Sequence, residues 1–154
     1  MTHKVEGWHR RQFLAGGGGA LLISTLPTVS HADEADMIRA RTELFGGRDV
    51  QEGRVTVTLP PIAENGHSVP ITVDVDSPMT PNDYVKQIVI LSPRNPLPTI
   101  GQFYLTPRSG KALVSTRIRM SGTQAIQAVA EMSDGSLWSG RMETVVTLAA
   151  CVVL

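Results

Sequence analysis

The single cysteine of this 154-residue chain, Cys151, is the fourth residue from the end of the sequence. A thiolate is a strong nucleophile towards sulfur as well as carbon, and it can hold a covalent adduct. Exported proteins use cysteines in pairs, as disulfides, and a lone one has no internal partner. That leaves spare material, an intermolecular link or a working thiol. A plainer reading stands beside the last: Val145 to Leu154 is almost wholly apolar, so Cys151 is also readable as a small residue closing a final strand. Leu148-Ala149-Ala150-Cys151 matches the lipoprotein cleavage box in letters but lies at the wrong end of the chain.

Few other residues offer chemistry. A cysteine hydrolase needs a base beside its thiol. His67, after Asn65-Gly66 in a turn, is the only histidine beyond the first 31 residues. Arg108, Lys111, Arg117 and Arg119 read as a basic stripe, which could greet an anionic substrate or partner, though a solvated outer face is the plainer and favoured account. Asp74, Asp76 and Asp83 have no calcium-loop spacing. Trp138 reads as core or interface.

The elements that must position these residues begin after an export segment. Arg10-Arg11 followed by Phe13-Leu14, an apolar run from Ala15 to Leu26, and Ser30-His31-Ala32 have the order of a twin-arginine signal peptide, with cleavage expected after Ala32. The run is too short for a membrane span, which needs about 20 residues. Asp33 onward carries 11 lysines and arginines against 13 acidic residues, a charge of −2. Nothing there favours nucleic acid, and no membrane association is expected once the signal is removed. No cofactor and no metal is expected.

Residues 33–47 read as a short helix. Met37, Ile38, Leu44 and Phe45 share one face, and the stripe needs a sheet or a partner to dock on. From Gly53 the period changes to two: Val55, Val57, Leu59; Ile71, Val73, Val75; Val114, Ile118, Met120; Ile126, Ala128, Ala130, Met132. Val85 to Leu91 is a continuous apolar run, as in a strand covered on both faces. Gln102 to Thr106 reads as a further short strand, and Leu137 to Leu148 as one or two more. Turn formers separate them, among them Asn65-Gly66, Pro93 to Pro98 and Asp134-Gly135. The expected fold is all-β: an immunoglobulin-like antiparallel β-sandwich of about seven strands with a short N-terminal helix, the sandwich over 48–148 and a terminal cysteine arm over 149–154.

Several segments in consecutive order resemble the SoxY family of sulfur carriers: Gly53 to Gly66, Val69 to Thr80, Phe103 to Pro107, Val114 to Arg119, and Ala128 to Gly135 followed by Trp138. The resemblance covers roughly Met37 to Cys151. It implies a periplasmic, non-enzymatic carrier that acts as a heterodimer with a SoxZ-like subunit. In such a system SoxAX joins thiosulfate oxidatively to the cysteine, SoxB hydrolyses off the terminal sulfonate, and SoxCD, where present, oxidises the remaining sulfur. It implies Cys151 as the attachment point. The family's arm is Gly-Gly-Cys-Gly-Gly, whereas this chain has Ala149 and Ala150 before the cysteine and Val152 and Val153 after it. Valine is stiff where glycine is free. A non-carrier relative with an idle thiol, acting as a binding or scaffold module, is the alternative.

Overall fold

The computed structural model describes residues 33–150. The helix α1, Glu34–Phe45, opens on a reciprocal cap: Asp33 accepts from the Asp36 amide at 2.9 Å, and Asp36 accepts from the Asp33 amide. Gly46, in the left-handed conformation at φ 66°, ends it.

Among the described residues nine strands follow: β1 Val50–Glu52, β2 Val55–Thr58, β3 Ile62–Ala63, β4 Val69–Val75, β5 Val85–Leu91, β6 Thr99–Tyr104, β7 Leu113–Ile118, β8 Gln124–Met132 and β9 Leu137–Val146. The larger sheet runs β1-β9-β8-β5-β6, with β3 also pairing β9; the smaller runs β2-β4-β7. The two pack as a β-sandwich, as expected. The strand count exceeds the expected seven because β1 and β3, three and two residues long, are too short to show a period. β6 also starts earlier than expected, at Thr99 rather than Gln102.

Pairing is antiparallel except at the two ends of β9. There Val50↔Leu137 and Ile62↔Val145 begin parallel ladders. Between them the chain leaves the large sheet, runs as β2 through the small one and returns as β3. β2 crosses β9 at Gly140, where an added Cβ would collide with the Val55 carbonyl oxygen. The missing side chain lets the two backbones touch and closes that side of the sandwich.

Alternation does what the sequence implies. Val55, Val57, Ile71, Val73, Val75, Val114 and Ile118 point inward from the small sheet, and Ile88, Ile90, Ile126, Ala128 and Ala130 from the large one. β5 is buried on both faces because its odd side chains, Val89 and Leu91, meet Met37 and Phe45 of the helix together with Val129 and Leu137. The docking surface of α1 is therefore the chain's own sheet. Ile38, expected on the docking face, is instead 44% exposed. Among the described residues no helix is long and apolar enough to cross a membrane.

Candidate functional site

The site is the root of the C-terminal tail. β8 pairs with β9 as far as Gln124↔Thr144. Beyond that point the chain is tied to its surroundings one residue after another. The Val145 amide donates to the Pro61 carbonyl at 3.0 Å and the Val146 amide to Thr123 Oγ1 at 3.0 Å. The Thr147 amide donates to the Ala63 carbonyl, and its hydroxyl to the Glu64 carbonyl at 2.8 Å. Gly66 N–H then donates to the Leu148 carbonyl at 2.8 Å, and Ala150 N–H to the Met120 carbonyl at 3.0 Å. Ala149 and Ala150, the expected start of the arm, are half-buried; Leu148 is 59% exposed.

Met120 is held from behind. Asn95 donates through Nδ2 to the Arg119 carbonyl at 2.8 Å and accepts from the Ser121 amide at 3.1 Å, so one side chain grips both neighbours of Met120. Gln124 Nε2 donates to the same Asn95 oxygen, and Ser92 Oγ donates to Gln124 Oε1. Ser92 Oγ also accepts from the Asn95 amide at 2.9 Å. Ser92, Asn95, Ser121 and Gln124 are all buried, where such a network is rigid only when its members are satisfied. Sequence reading missed Asn95. A polar residue inside Pro93 to Pro98 looks like turn chemistry, and only the fold shows what its amide reaches.

The other residues singled out disperse. His67 is exposed in its turn, with its amide on Asn65 Oδ1 at 2.7 Å, and it follows directly after Gly66 in the tail root. Of the basic stripe, Lys111 pairs with Asp74 at 3.1 Å and Arg117 reaches Ser68. Arg108 lies apart, in a 3-10 turn at Pro107–Ser109. A groove beside Met120 is lined by Leu97, Ile100, Arg117, Ile118 and Arg119, apolar walls with two cations. Trp138 packs against the core with its indole N–H on Ser136 Oγ and the Arg54 guanidinium 5.6 Å from the ring centroid. Asp74 is engaged by Lys111, and among the described residues no three acidic, histidine or cysteine groups gather to hold a metal. Arg10, Arg11, Cys151, Val152 and Val153 lie outside the described residues.

Against known proteins, the profile of the family described as sulfur oxidation protein SoxY matches residues 41–151. The chain belongs to the SoxY family. The SoxY sulfur carrier of Chlorobium limicola f thiosulfatophilum is similar in structure, with a TM-score of 0.62 and 32% identity over 74% of this chain and 98% of that one. The superoxide reductase (neelaredoxin) of Ignicoccus hospitalis aligns with a TM-score of 0.54 and 17% identity, over 61% of this chain and 80% of its own. That of Nanoarchaeum equitans gives 0.52 and 12%, over 62% and 99%. At such identities these two show the sandwich alone. No curated protein matches the chain. Membership places this SoxY chain among the carriers of sulfur oxidation. It also ties the chain in general terms to the Sox system and a SoxZ partner.

Proposed function

We propose that this SoxY-family chain is a periplasmic carrier that binds thiosulfate-derived sulfur covalently on Cys151 and presents it to partner enzymes. The observation that carries this reading is that the family match runs through residue 151 while the body anchors the backbone up to residue 150. The thiol thus originates one residue, about 3.8 Å between α-carbons, from a fixed point on the surface. No cofactor takes part; the only group bound is the substrate's own sulfur.

Loading forms one S–S bond between Cys151 Sγ and the outer sulfur of thiosulfate. The thiol gives up its proton and the two electrons pass to an oxidising cytochrome of the SoxAX type. A SoxB-type hydrolase then cleaves the S–S bond to the terminal sulfonate with water, releasing sulfate and leaving a persulfide, and a SoxCD-type enzyme oxidises the sulfur that remains. The groove with Arg117 and Arg119 near the tail root suits an anionic group on an apolar stem. The SoxZ-like subunit is the stable partner. Arg10-Arg11 and the apolar run after them direct export by the twin-arginine route.

Reconstitution tests the reading. Thiosulfate-dependent cytochrome reduction by the heterodimer with SoxAX- and SoxB-type partners is expected to stop with Cys151→Ser. Undiminished reduction by that variant would overturn it.

A second reading, a scaffold with an idle thiol, draws on Val152 and Val153 in place of the family's glycines. Alkylation of the native protein separates the two. A carrier thiol reacts with iodoacetamide as fast as a free peptide thiol, and an idle strand residue does not.

A further inference from the structure

The tail leaves the body through a junction of three chain segments, and Gly66 is its centre. Gly66 N–H donates to the Leu148 carbonyl at 2.8 Å, the Gly66 carbonyl accepts from the Met120 amide at 2.9 Å, and the Met120 carbonyl accepts from the Ala150 amide at 3.0 Å. The Asn65–Gly66 turn, the segment after β7 and the tail are thereby tied by three backbone bonds. No side chain fits at the centre. A Cβ on Gly66 would collide with the Met120 carbonyl oxygen and stand 3.0 Å from the Ala150 nitrogen and 3.2 Å from the Leu148 oxygen. The glycine is there for room, because its φ lies outside the left-handed region. Asn95, gripping Arg119 and Ser121, keeps the Met120 carbonyl aimed at the tail.

We propose that this junction is a clasp that fixes the root of the carrier tail, and that Gly66 is a positioning residue setting how far Cys151 reaches from the body. The proposal rests on the carrier reading of Cys151. With the clasp shut, the tether is the single peptide link from Ala150. With it open, the last anchors are at Thr147, on Ala63 and Glu64. Three residues join the tether, lengthening it by roughly 10 Å at 3.3–3.6 Å per residue. That difference separates a thiol that meets enzymes at its own surface from one that enters a recessed site. Only the two bonds from the tail need to break, and backbone bonds near the surface are individually weak against water. A docking enzyme that competes for the Ala150 amide or the Leu148 carbonyl can therefore open it.

The test uses the heterodimer with intact tail. Ala150→Pro removes the donor to Met120 at the outermost bond, so that the last anchor moves back to the Leu148 carbonyl and two residues join the tether, and leaves the core untouched; Gly66→Ala opens the centre. Cys151 is labelled by a small soluble maleimide and by a maleimide held on a short spacer at a bead surface. Ala150→Pro is expected to raise the rate with the bead-bound probe about tenfold and to leave the soluble one within about twofold. In the wild type, the Ala150 amide is expected to exchange at least about tenfold more slowly than an unprotected peptide. Exchange at the free-peptide rate, or bead labelling of Ala150→Pro equal to wild type, overturns the clasp, whether or not Gly66→Ala folds. Because labelling needs no thiosulfate, a failed clasp and a failed carrier reading are told apart: the first shows in reach, the second in loading.

Discussion

Asn95 serves the Arg119 carbonyl, the Ser121 amide and hydroxyl and the Gln124 amide group at once, and its loss would leave the Ser121 and Gln124 groups buried without it. Each buried polar group left unsatisfied costs about 1–3 kcal/mol. Asn95→Ala is therefore expected to lower unfolding stability by about 2–4 kcal/mol, measured by chemical denaturation, and to speed exchange of the Ala150 amide through Met120. Asp134 gives the pH dependence its sign. Ser136 donates to its carboxylate through both hydroxyl and amide, at 2.7 and 2.8 Å, and so lowers its pKa from the ordinary carboxylate value. A depressed folded-state pKa adds stability that is present above the unfolded value and is lost as pH falls through the folded one. An NMR titration should find Asp134 protonating below a free aspartate, and Ser136→Ala should bring it back towards the usual value. The Asx turn at Asp134-Gly135 was legible from residue types. The grip of Asn95 was not, since its partners lie at least 24 residues away in sequence.

Period-two alternation made the long strands legible, for the physical reason that each lays one face on a core. It was silent on β1 and β3, whose role is topological: they pair parallel with the two ends of β9, so that β2 must cross at Gly140. The overpacked variant Gly140→Ala would push Val55 away from β9. It is expected to cost about 3 kcal/mol, as a fall in denaturation midpoint. The helix tells a similar story. Its stripe was readable, and the continuous run of β5 already asked for cover on two faces, yet nothing in the sequence paired one with the other. A 12-residue helix is marginal alone, so its docking rests on Met37 and Phe45. Phe45→Ala is expected to remove about 3–4 kcal/mol and to unfold α1 first, seen as early exchange of helix amides while β8 and β9 stay protected.

The molecule as a whole is a rigid sandwich holding one end of a chain. Its strands fix the turn after β3, the segment after β7 and the exit from β9 at one place, and that place is where the residue before Cys151 is bound. The family segments could be read directly from the sequence because they lie in strands and turns whose pattern the fold demands. The surroundings of the tail could not, because Gly66, Asn95 and Met120 converge there from three separate loops. The central claim is that Cys151 carries the sulfur. Its most direct test is the intact mass of the heterodimer after incubation with thiosulfate and the loading cytochrome, followed by peptide mapping. A gain of one thiosulfate-derived group, located on Cys151 and removed by a thiol reductant, is the expected result. An unmodified Cys151 under conditions in which a family carrier with the glycine arm is fully loaded would contradict it.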